Sequence, residues 1–508
     1  MSILQNLRTV VALACALSLT ACCSSSFAAP PVSSPPVRVL ELRAKHYDRY
    51  FSQLDDLIKT CDNKGQTDAV AELRLWQTPV DGEALLGRPL PTDVLPEISP
   101  DLPAAEREWR VVLKFARETL AKELYQLSRD LVNLNRPSFA WSVLREVLHF
   151  DSDHKQARTL LGFARSGDEW MSPFAAKKLK AKQVWHDRFG WLPIEHVKRY
   201  DNGERFYEQK WMTKEREESV RRDIRKAWVV ETDHYKVKTN VSLERGVELA
   251  KSLEVFHQYF HNTFAAFFNT PEQLMKQFAP TGTSAAKPSK QFLVTFFRSK
   301  DEYISRLKEK NSLIEITRGI YMTDDLTAYF FDHPDVDTDG TLFHEATHQL
   351  LYELHSPGRS IGAHEHFWIV EGIACYMESF RIKAGGISIG DPKYLRFQAA
   401  AYRALEDKPK PYYVPLARFT SMSMLAYQTD PSIEKNYSQA SGLVHFFMHA
   451  DNGRYRDALI SHLELLYRPQ SVRGHLPGLD QLTGVAYEEL DRQYIEHLKS
   501  FPQRAETD

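Results

Sequence analysis

Cysteine is scarce where a folded body would need it. Of the five cysteines, Cys15, Cys22 and Cys23 fall within the first 29 residues, leaving Cys61 and Cys375. A disulfide-stapled scaffold is excluded; the two that remain form one bridge or stand as two separate buried thiols. An excess of one charge sign is also missing. Lys and Arg number 65 against 67 Asp and Glu, a net charge of −2. No global field draws the chain to nucleic acid or to an acidic surface. After the N-terminus no apolar run reaches the ~18 residues of a membrane-spanning helix. With 43% hydrophobic and 26% charged residues, dominant disorder and collagen-like or coiled-coil arrays are excluded too. What remains is a 508-residue globular chain, enough for two to four domains at roughly 150 residues each.

Residues 1–29 read as an export signal. Arg8 is their only charged side chain, an apolar run follows from Val10 to Leu19, and small residues come next. Two cleavage readings compete. Leu19-Thr20-Ala21-Cys22 resembles a bacterial lipobox, which would leave a lipidated Cys22 as a membrane anchor. Ser26-Phe27-Ala28 suits ordinary cleavage and a periplasmic or secreted product. Residues 30–37 are then a Pro/Ser tether.

Residues 38–167 read as a helical region. Tyr47, Phe51, Leu54 and Ile58 share one helical face. Leu113, Leu120, Leu124, Leu127 and Leu131 mark a second helix, and Ala140, Leu144, Val147 and Leu148 a third. Between them, residues 77–103 are rich in Pro and Gly and predict a long loop. The helix–turn–helix stretch resembles a tetratricopeptide-type pair without a third unit. It is either a small helical domain packed on the rest or a grip for a protein partner. Residues 168–228 form a connecting region with aromatic anchors at Trp170, Trp185, Trp191 and Trp211. Its Lys214–Lys226 run interleaves acids with bases, which argues for a solvated face and against nucleic acid. Residues 229–503 predict strands at 234–239, 291–297, 319–322 and 327–331, the last two as a hairpin, and mostly helix afterwards. That order is an α+β unit.

Chemistry concentrates at Phe343-His344-Glu345-Ala346-Thr347-His348-Gln349. On a helix, positions i and i+4 share a face, so His344 and His348 can offer two imidazole nitrogens to one tetrahedral metal, with Glu345 beside them as a base. Leu342, Phe343, Ala346, Leu350, Leu351 and Leu354 predict a buried helix, and buried histidines need partners. A third ligand is expected from Glu371, a lone carboxylate in the apolar run Trp368-Ile369-Val370-Glu371-Gly372-Ile373-Ala374. Burying it unpaired is costly, and ligation removes the cost.

The pattern H-E-x-x-H followed by W-x-x-E-G-x-A-x-Y-x-E resembles the gluzincin metallopeptidases of the peptidase MA clan, and most closely the peptidase-MA-like family of exported bacterial proteins. The likeness spans about residues 228–500 and includes the segment Tyr437-Ser438-Gln439-Ala440-Ser441-Gly442. It implies a zincin-like catalytic domain: a small mixed sheet with an active-site helix, then a mostly helical lobe. It implies Zn2+ held by His344, His348 and Glu371, with Glu345 as general base and Tyr437 as oxyanion donor. The substrate would be a peptide or protein, aligned on an edge strand at 319–322 or 327–331.

Two departures refine that expectation. Related aminopeptidases carry G-x-M-E-N upstream of the zinc helix, its acid gripping the free amine. Gly319-Ile320-Tyr321-Met322-Thr323 has no acid there, so endopeptidase activity is favoured. In thermolysin-like enzymes an Asp four residues after the zinc Glu orients a zinc His. Here that position is Cys375, so other groups must hold His344. His355, His364 and His366 lie between the two ligand helices as rim or ordinary loop residues, and Arg396 and Gln439 are further candidates for the cleft. Two other readings compete: a catalytically silent peptidase-like binding protein, and a zinc hydrolase of non-peptide bonds.

Overall fold

The computed structural model describes residues 37–502 apart from 79, 81, 87, 280–289, 334–337, 356–360, 384–385, 407–408 and 469–475. The expected signal, the Cys22 anchor and all but the last residue of the tether lie outside the described residues.

The first third is helical because its apolar residues recur every three to four positions. Helix α1 spans Val37–Asn63, α2 Thr67–Leu75, α3 Ala104–Asn133, α4 Pro137–Phe150 and α5 Lys155–Leu160. Proline opens α4, where its missing N–H costs nothing. Tyr47, Tyr50, Leu54 and Cys61 of α1 meet Leu113, Leu120, Leu124 and Leu131 of α3 in a core of their own. That core also takes Leu274 and Phe278 from further along the chain.

The expected loop over 77–103 holds a buried strap. Leu85 and Leu86 are both buried, and Glu83 pairs with Arg456. Gly82 lies so close to α4 that a Cβ would stand 2.1 Å from the Ser142 carbonyl oxygen. Proline and glycine signal irregular backbone, and irregular backbone can still be buried.

Residues 164–221 form three successive strand–strand–helix units. β1 (Ala164–Ser166) and β2 (Glu169–Met171) precede α6 (Pro173–Lys180). β3 (Gln183–His186) and β4 (Gly190–Pro193) precede α7 (Val197–Asp201). β5 (Glu204–Tyr207) and β6 (Lys210–Thr213) precede α8 (Lys214–Arg221). Each hairpin is antiparallel, with Trp170, Trp191 or Trp211 second in its outgoing strand. A repeat of about 20 residues underlies what reads in the sequence as scattered aromatics.

A five-stranded mixed sheet follows, built from β7 (Trp228–Glu231), β8 (Tyr235–Thr239), β9 (Phe292–Phe297), β10 (Gly319–Met322) and β11 (Thr327–Phe331). Its order is β10-β11-β9-β8-β7. β9 is parallel to both β8 and β11, and each outer pair is antiparallel. The expected 319–331 hairpin is present, but only β10 is an edge. β11 pairs on both sides, so of these two strands only β10 could take an added strand. Helix α9 (Leu243–Thr263) connects β8 towards β9 and packs on the sheet. Short helices α10 (Ala265–Phe268), α11 (Pro271–Gln277) and α12 (Lys300–Leu307) come before β10.

Beyond the sheet lie α13 (Thr338–His355), α14 (Phe367–Met377), the hairpin of β12 (Arg381–Lys383) and β13 (Gly386–Ser388), and α15 (Leu395–Leu405). Then come α16 (Leu416–Thr420), α17 (Met424–Gln428), α18 (Ile433–Gly453) and α19 (Arg456–Tyr467). The α+β expectation holds in this mixed, mainly helical architecture. Cys61 and Cys375 are separate and buried, without a disulfide. Among the described residues no helix is long and apolar enough to cross a membrane.

Candidate metal centre

Helix α13 carries the first two donors. Leu342, Phe343, Ala346, Leu350 and Leu351 are buried against the sheet side and α14, whereas Leu354 is 40% exposed. With the apolar stripe so fixed, His344 and His348 leave α13 together, their Nε2 atoms 3.2 Å apart. Helix α14 supplies the third donor. His366 caps it in the left-handed region (φ 61°), after which Phe367, Trp368, Ile369 and Val370 are all buried. Glu371 Oε2 then stands 3.7 Å from His344 Nε2 and 3.8 Å from His348 Nε2.

These spacings suit a single cation. Four-coordinate zinc with ligand bonds of about 2.0–2.2 Å separates its ligands by about 3.3–3.5 Å. Two imidazole nitrogens and one carboxylate oxygen sit within a few tenths of an ångström of that. The three residues form a possible metal-binding triad.

The tautomer of His344 follows from its other nitrogen. Nδ1 lies 2.9 Å from Glu378 Oε1, so Nδ1–H donates to the carboxylate and Nε2 keeps its lone pair for the centre. Glu378 is gripped in turn by Arg396, through Nε at 2.5 Å and Nη2 at 2.6 Å, and by the Tyr394 hydroxyl at 3.2 Å. This supplies the carboxylate that position 375 lacks. Cys375 is fully buried beside His344 and could form a second triad with His344 and Glu378.

The neighbours set the charges apart. Burial pushes the Glu371 carboxyl up, against the pull of His344 and Arg396. Burial works the same way on Glu378, yet His344 and Arg396 hold it down to about 2. Burial disfavours charge on His344, but hydrogen bonds to Cys375 and Glu378 lift it well above the ordinary imidazole value. Burial and the charge of His344 lower His348 to about 4. A proton and a cation therefore compete for His344.

Glu345 points to the sheet edge. Its Oε2 accepts the Tyr321 backbone N–H of β10 at 2.9 Å. That N–H belongs to the free side of the edge strand, so base and strand edge adjoin. Tyr437 comes from α18, which packs so closely on α14 that a Cβ on Gly372 would stand 2.9 Å from the Ala440 carbonyl oxygen. This approach sets the Tyr437 hydroxyl beside the Glu371 carboxylate, and burial, then Glu371, push the phenol up.

The other candidates fare differently. Arg396 is spent on Glu378. Gln439 closes on the backbone of Val414 with both ends of its amide, at 2.9 and 2.6 Å, and does not face the cleft. His366 is buried against His462, 3.3 Å away, and is no rim residue. His364 is exposed, and the side chain of His355 lies outside the described residues. The residue sequence reasoning missed is Glu378. It lies seven positions after Glu371, two helical turns along the same face, and that spacing was the available signal.

Residues 339–469 match a family model described as a protein of unknown function (DUF1570). That stretch contains every residue of the triad, Glu345, Glu378, Arg396 and Tyr437. No curated protein and no solved structure matches the chain.

Proposed function

We infer that this protein is a zinc-dependent metallopeptidase of the gluzincin type, cutting within peptide chains rather than at a free amino end. The carrying observation is the convergence of His344 Nε2, His348 Nε2 and Glu371 Oε2 within 3.8 Å of one another, with Glu345 one residue from the first. Two imidazoles and a carboxylate are a donor set that suits zinc. The mixed sheet beside α13, with β10 as the edge strand next to that helix, supports a zincin-like reading of the domain.

Bound zinc would supply a Lewis acid that polarises a peptide carbonyl and makes water more acidic. The remaining work falls to the chain. Glu345 takes the proton of the attacking water and returns it to the leaving amine. Tyr437 donates a hydrogen bond to the oxygen on which charge develops. The Arg396–Glu378 pair fixes the ring of His344. The free edge of β10 aligns an extended peptide by strand pairing, and the absence of an acid over 319–323 leaves nothing there to grip a free amine. The N-terminal sequence supports export, as a Cys22-anchored lipoprotein or a released protein. The helical region over 38–167, with its tetratricopeptide-like pair, is the natural grip for a protein partner.

The test is zinc content with a peptide-library digest, run on the mature protein and on Glu371→Ala. One zinc per chain and cleavage, both lost in the variant, is the expected result. Zinc without cleavage would redirect the reading to a non-peptide hydrolase or a silent relative. No zinc in the wild type would end it.

A further inference from the structure

Tyr427 lies on α17 and is completely buried. Its surroundings are aromatic. Its ring centroid stands 5.3 Å from that of Phe367, 6.0 Å from Phe419 and 5.4 Å from Tyr437, the last with the two rings at 80°. Such an edge-to-face contact is directional, so one ring restrains the tilt of the other. The Tyr427 hydroxyl has no hydrogen-bond partner among the described residues. The ring, and not the hydroxyl, makes the contacts.

That ring is fixed relative to the metal triad. Helix α17 has only five residues, too few to hold itself in place. Backbone hydrogen bonds tie its segment to the start of α14. The His366 N–H donates to the Thr420 carbonyl at 2.8 Å, the Phe367 N–H to the Met422 carbonyl at 3.4 Å, and the Met424 N–H to the Gly362 carbonyl at 2.8 Å. Gly362 is itself pressed against α14, since a Cβ there would stand 2.8 Å from the Phe367 Cα. Glu371 follows one helical turn after Phe367 on the same helix. Helix α17 also packs on α18. It therefore joins the helix of the third metal donor to the helix of Tyr437.

Tyr437 needs such a join. It is only partly buried and lies near the start of α18, where a phenol has more than one rotamer open to it. Its hydroxyl stands beside the Glu371 carboxylate. That contact, and donation to an oxygen on which charge develops, both depend on where the ring points. A displacement of about 1 Å can cost on the order of 10²-fold in rate.

We propose that Tyr427 is a positioning residue for Tyr437: its ring, anchored through the α16–α17 segment to the start of α14, holds the Tyr437 phenol towards Glu371. This role rests on the metallopeptidase reading of the site. Tyr427 itself touches neither metal nor substrate.

The test is a double-mutant cycle on the mature full-length protein, with Tyr427→Leu, Tyr437→Phe and the pair. Zinc affinity is read by chelator competition, and kcat and KM on a peptide that the wild type cleaves. Tyr427→Leu should weaken zinc about 10-fold, the lower end for losing a group that supports a ligand. It should lower kcat about 10–100-fold at unchanged KM. In the Tyr437→Phe background the same substitution should change either quantity by less than about 2-fold. Tyr427→Phe, which keeps the ring, should restore both towards wild type, because the hydroxyl has no bond to lose. Equal losses in both backgrounds would reduce Tyr427 to a core residue and overturn the proposal. So would no loss in either, or a Tyr427→Phe as impaired as Tyr427→Leu. If Tyr427→Leu does not fold, Tyr427→Met, which fills more of the space but lacks the flat face, takes its place. Zinc without cleavage in the wild type would remove the peptidase reading, and the affinity cycle would still decide the role of Tyr427. No zinc in the wild type would end both.

Discussion

Two clusters of buried charge, one on α13 and α14 and one on α4 and α5, are resolved in different ways. In the first, each charge has an answer inside the chain. His344 meets Glu378, and Glu378 meets Arg396 and Tyr394. Only the three inward-facing donors remain, and they are spaced for a cation. In the second, the Arg145 guanidinium has no hydrogen-bond partner among the described residues, whereas Arg158 of α5 donates to two backbone carbonyls and is faced by Asp151 and Asp153. A closed network with one shaped opening marks a site prepared for a particular ion. The first announces itself as a sequence motif because its donors sit four residues apart on one helix. The second has no motif, because its parts come together only when α5 folds back beside α4.

The comparison can be broken at its reactive end first. Glu345→Gln removes the base but none of the three metal donors. It should lower turnover about 10²–10⁴-fold while zinc content by elemental analysis stays at the wild-type level. Full activity in this variant would separate the motif from catalysis. The helical core is the next point. Leu144 is completely buried in the α3–α4 core, and Leu144→Ala should cost about 2–5 kcal/mol, read as a lower midpoint in denaturant. Metal content should be unaffected, since none of its ligands belongs to that core. Loss of metal in Leu144→Ala would show that the two clusters fold as one unit.

A smaller effect should follow at Glu378. Glu378→Gln keeps the shape but weakens the hold on His344 Nδ1–H, and metal affinity by chelator competition should fall about 10–100-fold. Arg396→Ala should move affinity in the same direction, and unchanged affinity in both would mean that His344 needs no such support.

Acid should act through a third cluster. Burial lowers His445 to about 2, His449 to about 3 and His497 to about 4, from 6.5 for each. They are neutral in the fold, and the unfolded chain takes up their protons. Stability is therefore full above about pH 6.5 and is lost as pH falls below it. Between pH 7 and pH 5 each should cost on the order of 1–2 kcal/mol, visible as a falling Tm. A flat Tm over that range would contradict the burial.

Local periodicity made much of the molecule legible. The stripes of α1, α3 and α4 were visible because burial selects every third or fourth residue. The 319–331 hairpin was visible because two short alternating runs flank Asp324-Asp325. His344, Glu345 and His348 were visible because their chemistry depends on one helical turn. The strap over 82–86 was hidden because Pro and Gly report backbone shape and not burial. The three hairpin units were hidden because tryptophans about 20 residues apart look unrelated until their strands pair. Of β10 and β11, either suited an edge, and pairing with β9 is what removed β11 from that role.

By itself the chain determined the main helices, the 319–331 hairpin and the two-histidine face, since each depends on neighbours within a few positions. Tertiary structure alone decided that Glu371 completes the triad at 3.7 and 3.8 Å, that Arg396 grips Glu378, that Tyr437 reaches Glu371 across the α14–α18 contact, and that Arg145 is buried in α4. These are contacts between elements, set by which apolar faces pack together, and no local pattern encodes the distance at which two packed helices present their polar side chains.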